Sequence, residues 1–141
     1  MKLRMPLFPS ALALLLLLSS CSGSTPIQVS CDDFMKLQSP AVVTKKVSVP
    51  VGSTFTVTLC SNQTTGYRWS ELAQISDQSL LRQIDHKFEP PQSGLIGAAG
   101  QEVWTFETLE KGTCTVSMEY SRPWEGGEKA TWRFNLILVI K

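Results

Sequence analysis

Histidine is almost absent from this chain: His86 is the only one. With no second imidazole, and no His, Cys and Asp at ligand spacing, the sequence offers no metal site and no cofactor is expected. Catalysis would need a base beside a nucleophile. Asp85 adjoins His86 on a modest strand, but successive strand residues face opposite sides, so the two form no dyad and the chain does not read as an enzyme. Charge is scarce too. Charged residues make up 18% of the chain and the net charge is +1, which provides no field to draw in nucleic acid. Sustained helical spacing is missing, with one turn over Cys31 to Leu37 the most that the pattern allows. There is no internal repeat, and after residue 18 no run is long and apolar enough to cross a bilayer.

What is present fits one domain: 141 residues, 43% of them hydrophobic, enough for a packed core. The start is a targeting segment. Lys2 and Arg4 precede an apolar run from Ala11 to Leu18, which ends in Leu18-Ser19-Ser20-Cys21. Small residues ahead of a cysteine resemble a bacterial lipobox; the alternative is an ordinary secretory signal with a coincidental cysteine. The lipobox implies a signal peptide over 1–20 and lipidation of Cys21. A tether and N-terminal segment then fill 21–40, and the domain proper fills 41–141. Several acyl chains on one cysteine give stable anchoring where one is marginal. The expected location is therefore extracytoplasmic, on a bacterial membrane, with the lipid as the only membrane contact.

From Ala41 onward the apolar period is two. Val43, Val47, Val49 and Val51 alternate, and Pro50-Val51-Gly52-Ser53 is a turn signal. Phe55, Val57 and Leu59 then alternate with Thr54, Thr56 and Thr58. Trp69 lies on a short strand, and Leu80 to Phe88 is a weaker one ending at Pro90-Pro91. Trp104 with Phe106, then Val116, Met118 and Tyr120, then Trp132, Phe134, Leu136, Leu138 and Ile140 define three further apolar faces. Seven to eight strands with Gly and Pro turns and no crossover helices predict an all-β, immunoglobulin-like antiparallel sandwich. Trp69, Trp104 and Trp132 belong to its core.

Setting Cys21 aside leaves Cys31, Cys60 and Cys114, so an exported chain can close one disulfide. The sandwich analogy favours Cys60–Cys114, but parity opposes it. Cys60 shares the threonine face of its strand and Cys114 the apolar face of its own. Position opposes it as well: Cys114 lies about 26 Å along a strand from Arg122, at about 3.3 Å per residue, while Cys60 adjoins the loop at Asn62. A bridge spans only about 7 Å between Cα atoms. The expected pair is Cys31–Cys60, with Cys114 a buried free thiol.

Three loop-forming segments remain: Asn62-Gln63-Thr64-Thr65-Gly66-Tyr67, Gly97-Ala98-Ala99-Gly100 and Arg122-Pro123-Trp124-Glu125-Gly126-Gly127. Gly66 permits the positive φ of a sharp loop end, and Thr64 and Thr65 are stiff at χ1. Small residues at 97–100 admit close backbone approach. Pro123 fixes φ ahead of Trp124, the residue type most enriched at binding hot spots. Asn62-Gln63-Thr64 also matches a glycosylation acceptor, a chance match in a bacterial lipoprotein.

A Thr-Thr-Gly loop after a strand, a glycine-rich middle segment and Arg-Pro-Trp some sixty residues later resemble the chagasin-like family of cysteine-protease inhibitors, over about Val47 to the C-terminus. The resemblance implies an immunoglobulin-like monomer that blocks the cleft of papain-like proteases with three adjacent loops. Asn62, Gln63, Thr64, Thr65, Gly66 and Tyr67 would be the central wedge, with both threonines against the catalytic cysteine. Gly97, Ala98, Ala99 and Gly100 would line one side, and Arg122, Pro123 and Trp124 the other. Gln63 departs from the family's usual proline, an added freedom that weakens binding by about 0.4–1 kcal/mol. A reading of another class, a surface adhesion or envelope-assembly module, would use the same loops on the same sandwich. Arg122 has a further option in an ion pair with a carboxylate of its own chain.

Overall fold

Period two survives into three dimensions in the computed structural model, which describes residues 26–141; Cys21 and the leader before it lie outside the described residues. One sheet has the order β1 (Ile27–Val29), β3 (Thr54–Ser61), β7 (Gly100–Thr108) and β6 (Leu81–Glu89). The other runs β2 (Ala41–Val49), β9 (Trp132–Ile140), β8 (Gly112–Ser121) and β4 (Arg68–Trp69), with β5 (Gln74–Ile75) also paired to β8. The expected sandwich is present, with two additions. The strands number nine among the described residues. Each sheet also carries a parallel pair, β1 with β3 and β2 with β9, where antiparallel pairing was expected throughout. The parallel pairs arise because the N-terminal chain changes sheets. It lies on β3, turns through a short helix α1 (Cys31–Met35), and continues beside β9.

The inward faces close on one core. Phe55, Val57 and Leu59 of the first sheet meet Val116, Met118, Phe134, Leu136 and Leu138 of the second, all fully buried. Trp69 and Trp104 are fully buried at its centre, edge to face with centroids 6.4 Å apart. Trp132 packs against this cluster from its rim. The core also takes in Phe34, which the strand pattern did not reveal. Ser30 caps α1, its hydroxyl accepting from Asp33 N while Asp33 Oδ2 accepts from Ser30 N, and the turn aims Phe34 inward. Its ring stacks on Trp132 at 4.9 Å.

Cys31 and Cys60 are bridged, with Cα atoms 5.1 Å apart, and Cys114 is a buried free thiol, as parity required. Burial pushes the Cys114 thiol pKa upward, so it stays protonated and apolar in character. The outward face of β3 is less bare than its threonines suggest: Thr58 and Cys60 are buried where the chain approaches α1. The bridge closes a loop with sequence separation 29. Replacing both cysteines by serine is expected to lower the urea unfolding free energy by about 3–4 kcal/mol. Peptide mapping without reductant should recover Cys31 joined to Cys60 and Cys114 free; a Cys60–Cys114 peptide would contradict the pairing.

Candidate functional site

Strand direction decides which turns are neighbours. β3 leads into residues 62–67, β6 into 90–99 and β8 into 122–131, and all three turns lie at one end of the sandwich. The two outer turns are hairpins, one within each sheet. The middle one is different, because β3 and β4 belong to different sheets and share no ladder. The wedge therefore stands between the two hairpins, where the chain crosses from one sheet to the other.

The wedge is a tight turn. Gln63–Thr65 form a 3-10 turn capped by Asn62, whose Oδ1 accepts from Thr64 N at 3.3 Å and from Thr64 Oγ1 at 2.6 Å. Thr65 Oγ1 donates to Asn62 O at 2.6 Å. Gly66 ends the turn at φ 84°, the left-handed conformation its lack of Cβ allows. Thr64 and Thr65 are exposed at the tip, while Tyr67 is half-buried. Below them Asn62 N donates to Tyr120 Oη at 2.9 Å, and Trp69 Nε1 donates to Cys60 O at 2.9 Å.

Each hairpin is bonded to the wedge. On one side Asn62 Nδ2 donates to Gly97 O at 2.9 Å. Gly97 takes φ 79° there, Ala98 and Ala99 complete the turn, and Gly100 is already the first residue of β7, paired with Ser61. The tip of this hairpin is Leu95-Ile96, 71% and 105% exposed, two apolar side chains that are not among the expected binding residues. Their signal was present: an apolar pair between Gly94 and Gly97 fits no strand.

On the other side the Arg122 guanidinium lies over the Tyr67 ring at 4.5 Å and reaches Thr65 O at 3.4 Å. It makes no ion pair among the described residues. Pro123 is exposed, and Trp124 is 51% exposed. The covered part of the indole rests on Gly66, so closely that a Cβ there would collide with it. Lys129 Nζ holds this hairpin from within, donating to Arg122 O at 2.6 Å and Trp124 O at 2.8 Å. Tyr67 Oη donates to Glu128, joining wedge and hairpin once more. A cavity of about 460 Å³ opens beneath, lined by Met35, Asn62, Tyr67, Gly97, Ala99 and Trp132 among others.

All the expected binding residues except Gly100, which opens a strand, thus lie in turns at one edge. The arrangement suits occlusion. Both threonine hydroxyls donate to Asn62, Thr64 Oγ1 to its Oδ1 and Thr65 Oγ1 to its O, and so brace the turn. His86 bonds to Glu102 at 2.9 Å, not to Asp85, and no metal-holding cluster occurs among the described residues.

A model of the Chagasin family peptidase inhibitor I42 matches residues 48–138. Chagasin of Trypanosoma cruzi is 33% identical over 95 residues, covering 65% of this chain and 86% of that protein. Amoebiasin-2 of Entamoeba histolytica is 33% identical over 85 residues, covering 60% of this chain and 68% of that one. Among solved structures, a cysteine protease inhibitor from Entamoeba histolytica superposes with TM-score 0.59 and 21% identity, covering 82% of this chain and 96% of that one. The structure of PbICP-C in complex with falcipain-2 gives TM-score 0.61 at 13% identity, with 82% and 99% covered.

The bond between wedge and hairpin at Glu128 carries a pH dependence. The hydrogen bond from Tyr67, with the Arg122 charge behind it, holds the Glu128 pKa below the usual glutamate value. A depressed pKa means that this contribution is complete above the unfolded-state value and is lost as pH falls through the folded one. Carboxyl carbon shifts should show Glu128 titrating below a free glutamate peptide, with Tyr67 signals moving at the same midpoint. A midpoint at the free-peptide value would exclude the bond.

Proposed function

The chain belongs to the chagasin family of peptidase inhibitors, and on that premise we propose that it reversibly inhibits papain-like cysteine proteases by filling their cleft with the edge described above. It is an inhibitor, not an enzyme. The observation that carries the reading is the row of turns: exposed Thr64 and Thr65 stand between the Leu95-Ile96 tip and Trp124, and hydrogen bonds tie each neighbour to the wedge. Such a row has the form a groove accepts.

In this reading Asn62, Gln63, Thr64, Thr65, Gly66 and Tyr67 occupy the centre of the cleft. Gly97, Ala98 and Ala99 lie along one wall, with Gly100 fixing where their hairpin rejoins the sheet. Arg122, Pro123 and Trp124 cover the other wall. A prearranged edge loses little entropy on docking, which lets an interface of standard size, about 1,600 Å², bind tightly. Gln63 leaves the wedge without a proline ring, and the caps from Asn62 limit the freedom that this adds. The inhibitor works as a monomer outside the cytoplasm, held by lipid on Cys21, with residues 1–20 removed as a signal peptide.

A soluble form starting at residue 22 is expected to inhibit papain with a constant between nanomolar and micromolar; no inhibition at any concentration would overturn the function. Trp124→Ala should weaken binding by about 2 kcal/mol or more, as truncation of an interface hot spot does. An unchanged inhibition constant would remove Trp124 from the interface. Labelling with a palmitate analogue in a bacterial host should mark the full chain and leave Cys21→Ala unmarked.

A further inference from the structure

The wedge leaves one sheet and enters the other, so its two stems, Ser61 and Trp69, have no ladder bonds between them. A side chain takes the place of that ladder. Glu102, on β7 opposite Leu59, points into the space between the sheets and is 1% exposed. Its Oε1 accepts from Ser61 Oγ at 2.7 Å and from Trp69 N at 3.1 Å. One carboxylate oxygen thus joins the last residue before the wedge to the strand that follows it. Its Oε2 meets His86 Nε2 at 2.9 Å.

His86 reaches this position through a β-bulge. Register along β6 shifts between Gln83 and Asp85, which leaves Ile84 exposed and puts His86 opposite Trp104. The imidazole lies against the Trp104 ring at 4.9 Å. Burying a carboxylate costs several kcal/mol unless its lone pairs are met, and here both oxygens are met. An apolar residue at 102 would continue the core of Trp104 and Phe106 without that cost. A stability role alone does not account for the choice, whereas holding two unpaired stems together does.

We propose that Glu102 is a positioning residue for inhibition, with His86 as its support: the buried carboxylate sets the spacing of the wedge stems and so the shape that enters the protease. This rests on reading residues 62–67 as the wedge.

The test compares Glu102→Gln with Glu102→Leu in the soluble form starting at residue 22, which retains the Cys31–Cys60 bridge, at a temperature where both are folded. Glutamine retains an oxygen for Ser61 and Trp69, and its amide can donate to His86 in the other tautomer, so inhibition of papain should stay within about threefold of the parent. Leucine leaves Ser61 Oγ and Trp69 N unpartnered, and the inhibition constant should rise roughly tenfold or more. Amide exchange separates position from stability. In the leucine variant Gly66 and Tyr67 amides should exchange about tenfold faster, while those of β8 and β9 keep their protection. Equal acceleration in all strands, or an unchanged inhibition constant for the leucine variant, would overturn the proposal. If leucine prevents folding, Ser61→Ala removes one stem bond and is expected to produce the same local acceleration; no acceleration there counts against it. If the parent fails to inhibit, the proposed function falls, and the exchange measurement still decides whether Glu102 orders the wedge.

Discussion

A turn that joins two different sheets has no ladder to hold its ends. The wedge of this protein is such a turn, and the edge depends on what replaces the missing backbone bonds. Side chains replace them on both stems. Trp69 Nε1 reaches back to Cys60 O, Tyr120 Oη receives Asn62 N, and Glu102 joins Ser61 to Trp69. The disulfide at Cys60 adds a covalent hold one residue below Ser61. The outer hairpins need less, since each is closed by its own sheet, at Glu89 with Gln101 and at Tyr120 with Trp132. This unequal need accounts for the fully buried Ser61 and Glu102 under the wedge; the other fully buried polar side chain, Thr108, lies at the far end of β7, where it binds Pro50 and Ser53.

From that polar layer a row of rings leads outward. Phe34 stacks on Trp132, Trp132 on Tyr120 at 4.8 Å, and Tyr120 on Tyr67 at 5.4 Å. The Arg122 guanidinium continues the row over Tyr67, with the Trp124 ring 5.9 Å further on. Aromatic pairs add about 0.5–1.5 kcal/mol each beyond area burial, and each restricts its neighbour's rotamers. The row therefore fixes Trp124 relative to the core although half of its surface faces water. Phe34 begins the row because the disulfide and the Ser30 cap hold α1 at this end, so the N-terminal segment shapes an edge to which it contributes little surface.

Much of this was legible from period two alone. Phe55, Val57, Leu59, Trp104, Phe106, Val116 and Met118 are buried where alternation puts them, and the cysteine pairing followed from the same rule. Glu102 was equally legible, since it shares parity with Trp104 and Phe106, as Ser61 does with Leu59. Alternation alone, though, marks a buried face through its apolar residues, and a lone carboxylate on that face carries no such mark. His86 was not legible, because the bulge at Ile84 reverses parity partway along β6. The parallel pairs of β1 and β2 were hidden for another reason: strand order is a property of chain reversals, and α1 is too short to mark one by periodicity. The contact of Trp124 with Gly66 spans two turns remote in sequence, and no local pattern encodes it.

The same geometry bears on why the wedge should survive inside a protease. Attack on a peptide carbonyl requires reacting atoms about 3–3.5 Å apart with orbitals aligned, a geometry that a freely extended substrate can supply. Here the peptide groups at the tip are committed to a 3-10 turn: Thr65 N donates to Asn62 O at 3.2 Å, and Gly66 N to Gln63 O at 3.0 Å. Straightening the segment would break both bonds, release the Asn62 caps and lift Trp124 off Gly66. Those losses come together because the stems are held below, so the segment cannot yield one residue at a time. Under the proposed function, resistance to cleavage and affinity for the cleft would share one origin, the cost of deforming a turn whose two ends are fixed to different sheets.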